Sequence, residues 1–113
     1  MSGSNPLEIS PQEASERLTG ERPAALIDVR EPWEYATAHI NGSRLVPMQY
    51  VPAELQSLEG LADERDLLIV CHHGVRSLQV AAWLRERGIE NALRVAGWID
   101  RWSQEVDPTL ARY

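Results

Sequence analysis

A single cysteine, Cys71, is the first scarcity in this chain of 113 residues. It excludes an internal disulfide and a resolving thiol within the chain. Any disulfide or persulfide formed on Cys71 has to be discharged by an outside acceptor. Lysine is absent, and all eleven basic residues are arginines. That excludes a lysine Schiff base and a Walker-type phosphate lysine. Phenylalanine is absent too, so the four tryptophans carry most of the aromatic packing and read as core or pocket-wall residues. Basic clusters are missing and the formal net charge is −6, which counts against nucleic acid and anionic membranes as partners. No apolar run approaches the length of a membrane span, and no basic–apolar leader opens the chain, so a cytoplasmic location is expected. Residues 1–5 are expected to be a flexible polar lead, and 6–113 a single domain with one core.

What is present is organised around one stretch, Asp66-Leu67-Leu68-Ile69-Val70-Cys71-His72-His73-Gly74-Val75-Arg76-Ser77. Leu67 to Val70 is a continuous apolar run with β-branched residues, as in a strand covered on both faces. A tight loop follows, then a helix for which Ser77 is the expected cap. Leu78, Val80, Ala81, Ala82, Trp83 and Leu84 should form its buried stripe, and Gly88 should stop it. Cys71 is thus aimed at the positive end of a helix, where several N–H groups are unpaired. Gly74 permits the loop to curl its amides inward as an anion nest, and Arg76 adds a fixed positive charge. These features favour a thiolate that handles an anion.

Other segments alternate. Glu8 and Ile9 suit a short edge strand. Ser10-Pro11-Gln12-Glu13 is a capping box with proline at the first helical position, starting a helix that should run to Thr19 and stop at Gly20. Strands are expected over 24–29, 44–46 and 93–95. Helical segments are expected over 32–35, 52–58 and 97–105, with a turn at Asn41-Gly42 and an extended tail over 106–113. Such alternation implies a parallel α/β sheet whose ligands bind at the carboxyl ends of the strands. Asp28, Arg30 and Cys71 all fall at such ends.

Each candidate has a plain alternative. A cysteine after an apolar strand, taken alone, reads as an inert core residue; the adjoining glycine, arginine and helix start favour a nucleophile. His72 and His73 lack partners at ligand spacing, so they are expected to rim the pocket and support the thiolate rather than bind metal. Arg76 either attracts an anion or pairs with a carboxylate. Arg30 could recruit an anion, while Asp28 is expected to support it through a structural ion pair. His39 is expected to anchor a turn.

Cys71-His72-His73-Gly74-Val75-Arg76-Ser77 resembles the active-site loop of the rhodanese-like sulfurtransferases. Asp28-Val29-Arg30-Glu31, Glu34-Tyr35 and His39-Ile40-Asn41-Gly42-Ser43 are similar to that family's first signature. Ala96-Gly97-Trp98 with Trp102 is similar to its C-terminal element. Ala96 stands where the family has a glycine, and Ser43 where alanine is common. The resemblance implies a five-stranded parallel sheet flanked by helices on both faces. It also implies a persulfide on Cys71, with the loop from His72 to Ser77 and Arg30 binding substrate. Thiosulfate or a persulfide would be the donor; cyanide, a thiol or a sulfur-carrier protein would be the acceptor. No cofactor and no metal are implied. The tail resembles the rhodanese domain of ubiquitin-activating-like adenylyltransferases, which points to a carrier protein. Rhodanese-related cysteine phosphatases and arsenate reductases are the alternative, but their loops hold one residue more between cysteine and arginine than the four found here. A non-catalytic rhodanese-like binding module is the third possibility.

Overall fold

The computed structural model describes residues 7–71 and 75–96. Its centre is β4 (Leu67–Val70), all four residues of which are buried. Four more strands are present: β1 (Glu8–Ile9), β2 (Ala25–Asp28), β3 (Arg44–Leu45) and β5 (Ala92–Val95). They pair in the order β1-β5-β4-β2-β3, every pairing parallel. The expected five-stranded parallel sheet is therefore present, with Glu8 and Ile9 at one edge.

Side chains alternate along the strands, so two cores form. Ile27, Leu67, Ile69 and Cys71 point to one face, where they meet Leu58 of α3 (Leu55–Ala62) and Val80, Ala81 and Leu84 of α4 (Val75–Glu86). Leu26, Leu68, Val70 and Leu93 point to the other, where they meet Ala14 of α1 (Pro11–Arg17) and Ile40. A short helix, α2 (Pro32–Thr37), follows β2. Two 3₁₀ turns, Met48–Tyr50 and Pro52–Glu54, lead into α3.

Local sequence explains most boundaries. Ser10 caps α1 by accepting from the Glu13 amide at 3.0 Å, with Pro11 at the first helical position. The helix ends at Arg17, two residues before the expected Thr19, and Gly20 turns the chain at φ +102°. α4 ends at Glu86, and Gly88 adopts φ +94°, the left-handed stop its sequence position predicts. α3 runs on to Ala62 rather than ending at Leu58, carrying Gly60 inside it.

Three expectations need correction. Ser77 does not cap α4; it is the third residue of the helix. Its stripe is narrower than its apolar residues suggest: Ser77, Val80, Ala81 and Leu84 are buried, whereas Leu78 is 39% exposed. Those buried positions follow the i, i+3, i+4, i+7 pattern, and Leu78 lies off that face. Trp33 is 64% exposed and so is no core residue. The expected lead, the helix over 97–105 and the tail over 106–113 lie outside the described residues. Among the described residues no helix is long and apolar enough to cross a membrane.

Candidate active site

Cys71 follows the last residue of β4 and is buried. Its Sγ accepts a hydrogen bond from the Ser77 backbone N–H at 3.2 Å. The Ser77 hydroxyl oxygen lies 3.3 Å from the same sulfur. Ser77 is in the first turn of α4, so its amide is one of the donors a helix leaves without an internal partner. The Cys71 sulfur takes up that donor, at the end of the helix where the peptide dipoles sum to a partial positive charge. Starting the helix at Val75 rather than after Ser77 is what brings this amide to the sulfur. Negative charge on Sγ is thus met by an amide and a helix end, and the hydroxyl, which accepts from the thiol, can turn to donate once the proton leaves.

The neighbouring strand end carries a buried ion pair. Arg30 Nη2 donates to Asp28 Oδ2 at 2.8 Å, and Arg30 Nε donates to Asp28 Oδ1 at 2.9 Å. The Arg30 amide donates to Asp28 Oδ1 as well, at 3.1 Å. Arg30 Nη2 also reaches the Ala38 carbonyl at 2.6 Å. Both side chains are essentially inaccessible to solvent. Asp28 lies level with Val70, and the Val29 amide bonds the Val70 carbonyl, so this pair braces the backbone beside Cys71. The Arg30 charge is turned toward Asp28.

Arg76 is held by a residue that sequence reasoning gave no partner. Its Nη1 and Nη2 donate to Glu34 Oε1 and Oε2 at 2.6 and 2.9 Å. Glu34 is buried at the start of α2, where Oε1 also accepts from the Glu31 amide at 2.8 Å. One carboxylate therefore joins the first turn of α2 to the first turn of α4. The hint available in the sequence is Glu34's place three residues after Glu31, a capping spacing. Val75 is exposed at the head of α4. His72, His73 and Gly74 lie outside the described residues.

The turn after α2 is structural. His39 Nδ1 lies 2.8 Å from the Tyr35 carbonyl, and its ring stacks on Tyr35 at 3.9 Å. The Tyr35 hydroxyl donates to the Ser43 carbonyl. Ser43, where alanine is common in the family it resembles, donates its hydroxyl to the Ile40 carbonyl at 2.6 Å, which satisfies the buried oxygen. Among the described residues no three His, Cys, Asp or Glu side chains group as a metal site would need.

Fold and thiol placement together define an open parallel α/β domain with a cysteine at the carboxyl edge of its sheet, facing a helix start. Residues 10–105 match the family model described as a rhodanese-like domain. The chain belongs to this family. It is 33% identical over 107 residues to the thiosulfate sulfurtransferase GlpE of Haemophilus influenzae, covering 94% of this chain and 96% of that protein. It is 32% identical over 105 residues to the probable adenylyltransferase/sulfurtransferase MoeZ of Mycobacterium tuberculosis. That match covers 93% of this chain but spans only about a quarter of MoeZ, 26%. The crystal structure of a rhodanese-like domain protein from Staphylococcus aureus superposes with a TM-score of 0.76 at 30% identity, covering 94% of this chain and 97% of the other.

Proposed function

We propose that this protein is a sulfurtransferase working through a persulfide on Cys71. The Cys71 thiolate attacks the outer sulfur of thiosulfate or of a persulfide donor. The sulfur–sulfur bond of thiosulfate breaks and sulfite leaves with the electron pair. The Cys71 persulfide then gives its outer sulfur to a nucleophile, cyanide or a thiol, as its sulfur–sulfur bond breaks and the pair returns to Cys71. The thiolate is regenerated, and the cycle is covalent catalysis in two half-reactions. The segment from His72 to Ser77 receives the transferred sulfur, and Asp28, Arg30 and Glu34 hold its surroundings in place.

The observation that carries this reading is the Ser77 amide and hydroxyl directed at the only thiol in the chain. Membership of the rhodanese-like family and the likeness to proteins named sulfurtransferases support it. Phosphate chemistry is less well served. An arginine that grips a buried carboxylate with both terminal nitrogens is not presented to a phosphate.

Thiocyanate formation from thiosulfate and cyanide tests the proposal. Turnover should show parallel double-reciprocal lines, the mark of a ping-pong cycle, and Cys71→Ser should lack it. No turnover with thiosulfate or with a protein persulfide, alongside Cys71-dependent hydrolysis of an aryl phosphate, would replace this reading with the phosphatase one.

A further inference from the structure

The opposite end of the sheet carries a cavity. β3 pairs with only Ile27 and Asp28 of β2, so Ala25 and Leu26 have no strand beside them on that side. A cavity of about 370 Å³ occupies this gap. Leu18, Leu26 and Leu61 supply apolar wall, and Asn41, Arg44 and Arg65 supply polar groups. Its volume is in the range of small-molecule sites.

Arg44 and Arg65 in its wall, and Arg17 and Arg22 beside the segment that carries Arg65, differ in one respect. Arg17 pairs with Asp66 and Glu13. Arg22 bonds the backbone carbonyls of Asp63 and Glu64. Arg44 pairs with Glu54. Arg65 has no such partner: its Nε is buried and meets no acceptor, and among the described residues its guanidinium forms no ion pair. A permanent cation in the wall of a cavity, left unpaired by the protein, is the complement of an anion.

We infer that this cavity binds a small organic anion, with an oxyanion head on Arg65 and an apolar body against Leu18, Leu26 and Leu61. Arg44, already paired, lends charge to the rim. The site is separate from the thiol. Arg65 precedes β4 and Cys71 follows it, which at about 3.3 Å per residue sets them about 20 Å apart.

The test is a titration of the ¹⁵N-labelled protein with hexanoate, hexyl phosphate and 1-hexanol, following the amide signals of Leu26, Gly42 and Arg65. At least one of the two anions should shift these signals saturably in the millimolar range, and the tighter one identifies the head group. Hexanol should bind at least about tenfold more weakly, a difference of about 1.4 kcal/mol. Arg65→Gln should weaken the anion about tenfold or more, Arg65→Lys by less, and thiosulfate turnover should be unchanged in both. Three results would each overturn the inference: no shift with either anion, equal shifts with hexanol, or undiminished binding in Arg65→Gln.

Discussion

Removing Asp28 is the sharpest perturbation the fold offers. Its carboxylate accepts from the Arg30 amide, Nε and Nη2, and both side chains are buried. Asp28→Ala strips the carboxylate from a guanidinium that cannot reach water. Breaking a buried pair in this way costs about 3–5 kcal/mol, against a total stability of about 5–15 kcal/mol for a domain. At about 5 °C per kcal/mol for a chain of this size, Tm should fall by about 15–25 °C. The double variant Asp28→Leu/Arg30→Met removes both charges and keeps the volume. It should return to within about 2 kcal/mol of the parent, because the desolvation cost disappears with the pair. Urea unfolding followed by tryptophan fluorescence, with thermal melts by circular dichroism, reads both numbers. A loss below about 1 kcal/mol in Asp28→Ala, or a double variant no more stable than the single one, would refute the argument that the pair braces the strand end.

Three further outcomes are expected. Glu34→Gln and Arg76→Met should each cost about 1–2 kcal/mol in urea unfolding, less than a fully buried pair because Arg76 is 26% exposed. In a double-mutant cycle their effects should be clearly non-additive, whereas independent sites would simply add. Ser77→Ala removes the hydroxyl 3.3 Å from the sulfur but keeps the amide, and should slow persulfide formation about fivefold, the worth of a hydrogen bond of about 1 kcal/mol; stopped-flow mixing with thiosulfate measures it, and an unchanged rate would remove the hydroxyl from the account. Leu58→Ala opens a cavity beneath α3 and should cost about 2–5 kcal/mol in urea unfolding, while the folded fraction still takes up one sulfur per chain.

The parts of the fold written in local chemistry were legible in the sequence. Ser10 and Pro11 fix the start of α1 because cap and proline act within one turn. Gly88 fixes the end of α4 because only a left-handed residue continues the chain there. The buried run Leu67–Val70 announces a central strand, and the strand alternation announces a parallel sheet. What could not be read depended on distance. Glu34 and Arg76 are 42 residues apart, and no local pattern joins them. Ser77 has the side chain of a cap, yet α4 begins two residues earlier, so its amide and hydroxyl serve the sulfur instead. Trp33 has a core residue's chemistry, but a helix of six residues that turns Glu34 inward leaves it facing water. Asp28 and Arg30, two residues apart, form the ion pair their sequence position suggested, and the packing adds that both side chains are buried.

The central claim is that Cys71 carries the sulfur in transit. The intact mass of the protein after incubation with thiosulfate, read before and after cyanide, tests it directly. The account predicts a gain of one sulfur atom that cyanide removes and that Cys71→Ser never acquires. A protein that gains no sulfur from thiosulfate or from a protein persulfide, while its thiol still reacts with an alkylating agent, would contradict it.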